Sequence, residues 1–237
     1  MLLQLGQAPD SFPQELGDYL SWFEGAWGGP LELVDGRPEA GHAKLPDARD
    51  YAGIIVSGSP ASLAQAEMPA WMDAAALLVR RAHEVGTPLL GVCFGHQLIG
   101  YAFGGRVINN PWGWEVGTRH VEVTDAGKAD PLFAGLPARV QVNLTHRDII
   151  DPATRPAELR VLARNEAAEI QAVAVGDSTW GVQFHPEICG AIMRGYINAR
   201  RPLLDAHHDC DALHASSEDC PDARRLMHNF RATVLTS

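Results

Sequence analysis

Cys93 lies between Gly91 and Gly95 in PLLGVCFGHQLIG, directly after an apolar run and directly before a helical one. A sharp strand-to-helix turn strains the backbone at its central residue. It also brings neighbouring main chain close, where a Cβ on a flanking residue would obstruct it. The spacing is that of a nucleophile elbow, G-x-S-x-G, with a thiol in place of the hydroxyl. A helix beginning here sets the positive end of its dipole at the sulfur and favours a thiolate. The N–H of Phe94 would then point at an oxyanion forming on an attacked carbonyl. Taken alone, the segment also reads as a buried cysteine in a Gly-rich turn.

A thiol nucleophile needs a base to take its proton and return it to the leaving amine. Ten histidines are present, so the choice rests on setting. His185, in WGVQFHPEI, follows an apolar strand and therefore projects from a sheet edge. Pro186 stiffens the turn that follows, and Glu187 comes two positions after the histidine. In an extended segment residues two apart point the same way. Glu187 could thus accept the second imidazole N–H, fix the tautomer and support the imidazolium. His185 alone reads as a strand-end histidine. With the elbow upstream of it, the two segments read as a Cys93–His185–Glu187 triad.

GVCFGHQ and GVQFHPE resemble the two signature motifs of class I glutamine amidotransferases, G-x-C-x-G-x-Q followed later by H-P-E. The resemblance spans roughly Leu2 to Ile197. NNPWGWEVGTRHVEVT, DPLFAGLP and THRD are similar to the stand-alone, GMP-synthase-like branch. The resemblance implies a flavodoxin-like sheet, Cys93 as nucleophile, His185 as general acid/base and Glu187 as its orienter. It implies a glutamine-side-chain pocket to which Gln97 contributes, and an oxyanion hole from the backbone of Gly58 and Phe94. Gly58 stands in SGSPAS, where many members carry a Gly-Gly-Pro run.

The reaction so implied is hydrolysis of the γ-glutamyl amide of glutamine, or of a γ-glutamyl amine or peptide, through a thioester and without a cofactor. Neither G-x-x-x-x-G-K-S/T nor an SGGxDS-like loop is present, and about fifty residues follow the H-P-E motif. The expectation is therefore a stand-alone amidase, or a glutaminase subunit whose separate synthetase is another chain. A non-catalytic regulatory or binding domain is the third reading, and three intact triad residues count against it. A homo-oligomer is left open.

Other residues are weaker candidates. His146 and Asp148 in NLTHRDII occupy a strand end between the motifs. A similar H-x-D lies near the cleft in the GMP-synthase-like branch, which implies a substrate-side or partner-side role; a hydrogen-bonded turn is the alternative. Trp112 and Trp114 could line a pocket or pack within a loop, and His96 reads as a helix-surface histidine beside Gln97. His207, His208, Asp209, Cys210, His214 and Cys220 lack an established ligand spacing, so no metal is expected. The pairs Arg200–Arg201 and Arg224–Arg225 read as salt-bridging helix faces.

The elements that must position these groups alternate in the first half. LLQLG, LELVDG, the IIV run of DYAGIIVSGSP and TPLLGV read as short buried strands. ELGDYLSWFEGAW, MPAWMDAAALLVRRAHEVG and HQLIGYAFGG read as helices, the second with Pro69 at its start and Gly86 as its stop. From RHVEVTD onward RVQVNLTH, LRVLARN, EIQAVAVG and TWGVQFH are strands with little helix between them. The predicted fold is α/β: a mostly parallel open sheet flanked by helices, with a partly antiparallel second half. One domain is expected over residues 1–237, with 198–237 as a C-terminal helical extension and DCDALHASSEDCPD as loop within it.

A formal charge of −10 argues against general affinity for nucleic acid or an anionic membrane, while leaving a single pocket free to differ in sign. No signal peptide is read at MLLQLGQAP, and no apolar run nears the roughly 20 residues of a membrane span. Four cysteines in a chain this long do not make a disulfide framework, so a reducing cytoplasm is the expected setting.

Overall fold

The computed structural model describes residues 1–37 and 45–236. Its centre is a nine-stranded sheet. Strands β1 (Leu2–Gln4), β2 (Leu33–Asp35), β3 (Ile54–Val56) and β4 (Leu89–Val92) pair in parallel in the order β2-β1-β3-β4. The chain then adds β5 (Val107–Asn109), β6 (Glu115–Val123), β7 (Arg139–His146), β8 (Asp148–Ile150), β9 (Arg160–Arg164), β10 (Ala172–Val175) and β11 (Thr179–Val182). The last of these inserts beside β4 in parallel, and β10, β9, β6 and β7 continue the sheet antiparallel. β5 and β8 form a small separate antiparallel ribbon. The parallel-then-antiparallel division matches the sequence pattern.

The side-chain period of two explains why the parallel strands are apolar throughout. Ile55, Leu90 and Val92 face a core closed by Phe23 of α1 (Tyr19–Trp27) and by Leu226 and Phe230 of α7 (Pro221–Thr236). Ile54, Val56 and Leu89 face the opposite core, closed by Val79 of α2 (Ala70–Val85) and Leu98 of α3 (Phe94–Ala102). A third apolar cluster joins Phe12 and Trp22 to Met193, Tyr196 and Ile197 of α5 (Gly190–Leu204). A short α4 (Asp125–Lys128) leads towards β7. Among the described residues no helix is long and apolar enough to cross a membrane.

Two local expectations need correction. The first helix begins at Tyr19 rather than near Glu15, because Gly17 turns the chain at φ 80°. Asp18 and Ser21 then cap it reciprocally, each accepting the other's backbone N–H at 2.9 Å. The polar segment read as loop contains α6 (Cys210–Ala215). Asp209 accepts from the N–H groups of Asp211 and Ala212, and Cys210 and Leu213 are buried beneath it.

Candidate active site

β4 ends in the turn that carries Cys93. Its φ of 54° makes it the one non-glycine residue with positive φ among those described. Such a conformation stores strain on the order of 1–3 kcal/mol and persists only where the surroundings enforce it. Here they do: the Cys93 N–H donates to Val182 O of β11 at 2.8 Å, and the Gln97 N–H to Cys93 O at 3.1 Å. A Cβ on Gly91 would collide with the Gly95 carbonyl, and one on Gly95 would lie 2.5 Å from Val56 O. Since both obstacles are backbone, Gly95→Ala is expected to cost at least the ~1–3 kcal/mol of ordinary overpacking. A melting temperature within about 2 °C of the wild type would refute the steric account.

His185 comes three residues after β11 ends and is 4 % exposed. Its N–H donates to Asn143 O, and Asn143 Nδ2 donates to Ile188 O at 2.9 Å, so β7 fastens both sides of the H-P-E segment. The segment is a turn, closed by Ile188 N–H on His185 O at 3.3 Å, and not the extended strand assumed from spacing. The turn nevertheless achieves the expected contact: His185 Nδ1 lies 2.7 Å from Glu187 Oε1. The imidazole's Nε2 is buried with no hydrogen-bond partner among the described residues, as is Glu187 Oε2. A Cβ on Gly58 would stand 3.4 Å from His185 Cε1 and 3.7 Å from Cys93 Cβ, so loop, base and sulfur meet at one point.

Burial opposes a charge on His185, but the Glu187 carboxylate and the neighbouring Cys93 overcome it and lift its pKa to about 10. At neutral pH the imidazole is therefore charged beside the sulfur, while burial pushes Cys210 to about 11 and Cys220 to about 12. Brief iodoacetamide treatment near pH 7 should thus alkylate Cys93 ahead of Cys210 and Cys220, with the modified peptide identified by mass spectrometry. Equal labelling of the three would refute a primed thiol.

Cys93, His185, Gly58 and Gln97 open on one cavity of about 530 Å³. Gln97 Nε2 donates to Asp148 O at 2.8 Å and towards Gln183 Oε1 at 3.1 Å, which locks its side chain in the cavity wall. Neither the Gly58 nor the Phe94 N–H has an acceptor among the described residues. His146 and Asp148 border the same cavity, yet their polar atoms are already engaged. His146 sets its two ring nitrogens 3.0 Å from Asp148 O and from Glu115 Oε2. Burial works against the Glu115 charge, but bonds from His146, Asn165 and Gln171 hold its carboxyl below the usual range. The Asp148 carboxylate accepts from Ser62 and, at 2.6 Å, from Asn109.

The two tryptophans separate: Trp114 lines the cavity and Trp112 is 78 % exposed. His96 is fully buried, not on a helix surface, and burial takes its pKa down to about 3. Among the described residues no group of three or more His, Cys, Asp or Glu is gathered as a metal site. Sequence reasoning missed Tyr19, Tyr196 and Arg200, which also line the cavity. The available signal was the i,i+4 spacing of Tyr196 and Arg200 on one helix face.

Residues 36–196 match the family model Glutamine amidotransferase class-I. The chain is 36% identical over 159 residues to a GMP synthase (glutamine-hydrolyzing) of Aeropyrum pernix, covering 67% of this chain and 27% of that protein. It is 32% identical over 149 residues to one subunit of a GMP synthase (glutamine-hydrolyzing) of Saccharolobus solfataricus, covering 62% of this chain and 73% of that one. The chain thus spans about a quarter of the length of the full GMP synthases it resembles. In fold, it matches a glutamine amidotransferase of Thermotoga maritima with a TM-score of 0.73 at 22% identity, over 99% of this chain and 95% of that one.

Proposed function

The chain belongs to the class-I glutamine amidotransferase family, and from that premise we propose that it hydrolyses the γ-glutamyl amide of glutamine or a γ-glutamyl compound through a thioester on Cys93. The observation that carries this is the His185 imidazole, bonded to Glu187 on one nitrogen and left without a partner among the described residues on the other, beside a strained cysteine. The Cys93 thiolate attacks the γ-carbonyl, forming the C–S bond, and the oxyanion takes the free N–H groups of Gly58 and Phe94. The His185 imidazolium gives its Nε2 proton to the departing nitrogen as the C–N bond breaks, and ammonia or an amine leaves. Neutral His185 then takes a proton from water attacking the thioester. Collapse expels the thiolate, releases the glutamate carboxylate and restores the starting state. Gln97, held by Asp148, forms part of the wall against the glutamyl side chain.

A second reading has the released ammonia pass to a separate synthetase. It is favoured by the similarity to a protein named as one part of a multi-chain GMP synthase. Ammonia and glutamate release measured from glutamine and a panel of γ-glutamyl amines and peptides tests both. Turnover by the chain alone supports the amidase. Turnover of glutamine that appears only with a GMP-synthetase partner supports the two-chain reading. Inertness under both conditions refutes both.

A further inference from the structure

Arg200 is a cation with no carboxylate within 4.0 Å among the described residues, in a protein of formal charge −10. Its neighbour Arg201 shows what an ordinary surface arginine does here, pairing with Asp211 at 2.7 Å and Asp205 at 3.8 Å. Arg200 instead turns into the active-site cavity, where Nη1 donates to Thr145 Oγ1 at 2.9 Å. Its guanidinium carbon lies 5.0 Å from the Tyr196 ring centre and 5.9 Å from that of Trp114. Arg147, from beyond the end of β7, lies 5.9 Å from the same Trp114 ring and also borders the cavity. Aromatic rings fix the plane of a guanidinium and leave N–H groups on its edge, the geometry that takes a planar carboxylate in two parallel bonds. One bond to Thr145 leaves the remaining donors of Arg200 unused. The cavity's acids do not neutralise it: Asp148 is occupied by Ser62 and Asn109, and Asp10 makes no ion pair with it.

We propose that Arg200, seated on Tyr196 and Trp114 with Arg147 across the same ring, is a carboxylate-binding subsite that anchors substrates away from the reacting carbonyl. This rests on the amidase reading and adds the class of substrate: γ-glutamyl compounds recognised through a carboxylate. That carboxylate belongs either to the glutamyl α-carbon or to the departing amine, as in a γ-glutamyl peptide. A cavity of about 530 Å³ falls within the roughly 300–1,000 Å³ of sites that hold ligands larger than one side chain.

Four probes distinguish the sources: glutamine, γ-glutamylglycine, γ-glutamyl ethylamide and glutamine α-methyl ester. Wild type, Arg200→Gln and Arg200→Lys are compared by kcat and KM for each. Loss of a charged hydrogen bond should raise KM for the recognised class about 10- to 100-fold in Arg200→Gln, with kcat little changed and partial recovery in Arg200→Lys. If the α-carboxylate is the ligand, the three probes that carry it all weaken, and the ester is poor already in the wild type. If the departing amine carries it, only γ-glutamylglycine weakens. An unchanged ranking of the four probes in Arg200→Gln overturns the subsite.

Calorimetric titration of Cys93→Ala, with and without Arg200→Gln, reads binding of the same probes without turnover. It separates failure of the subsite from failure of the amidase reading. Equal affinity in the two backgrounds, or no binding in either, also overturns the subsite.

Discussion

Cys93→Ala is expected to lower hydrolysis of glutamine and γ-glutamyl compounds by roughly 10³- to 10⁶-fold, the range seen when a nucleophile is removed from a cooperating set. No neighbouring group can stand in. The Ser62 hydroxyl is bonded to the Asp148 carboxylate, and Thr145 accepts from Arg200. Alanine leaves the fold intact, because the turn is enforced by Val182 O and by the close backbone around Gly91 and Gly95. It also retains the strain at φ 54°. Glycine at this position adopts positive φ freely, so Cys93→Gly should be equally inactive yet melt higher than Cys93→Ala. Turnover within tenfold of wild type in either variant, measured with pure protein, would remove Cys93 from the chemistry.

Glu187→Gln should produce the next largest loss, roughly 10²- to 10⁴-fold in kcat, since a neutral amide neither fixes the tautomer nor supports the imidazolium. The same substitution has a signature in stability. His185 in the folded protein titrates at about 10 against 6.5 for an unperturbed histidine. Below pH 6.5 both folded and unfolded chains hold the proton, and the stabilisation is complete. Between pH 6.5 and about 10 the folded chain holds the extra proton, so stability falls as pH rises, by up to about 1.4 kcal/mol per unit. Above the folded pKa the contribution is gone. Removing the Glu187 charge lowers the folded pKa and flattens this slope. Urea unfolding at pH 7 and 9.5 measures it; identical slopes in wild type and Glu187→Gln would contradict the assigned charge state.

The nucleophile turn, the H-P-E segment and the alternating first half were legible in the sequence because each is local. Two glycines around a cysteine, or IIV between turn residues, state their geometry within a few positions. What spacing could not give was the route by which His185 meets Glu187: a turn held by Asn143, not a strand. The ribbon of β5 and β8 was invisible, since three residues per strand carry no period to detect. Tyr19, Tyr196 and Arg200 escaped for a different reason. Tyr19 meets Tyr196 across a hydrogen bond between residues 177 apart, which only the folded chain brings together. His146 and Asp148 border the cavity as expected, but their side chains are spent on Glu115, Ser62 and Asn109. Whether they also touch a substrate is a separate proposal, tested by the KM of Asp148→Asn.

The insertion of β11 between β4 and β10 has a consequence for how the molecule comes into being. The register sets Val92 against Val182, and the hydrogen bond from Cys93 reaches across that seam. A nascent chain can form β1, β3, β4 and their helices from local material, yet the slot beside β4 stays vacant until the polypeptide has been synthesised past residue 182. Filling it is the long-range pairing that slows the assembly of such sheets. The same event delivers the base to the sulfur. Reactivity is thereby timed to the closing of the sheet, and an incomplete product emerging from the ribosome carries a cysteine without the means to use it.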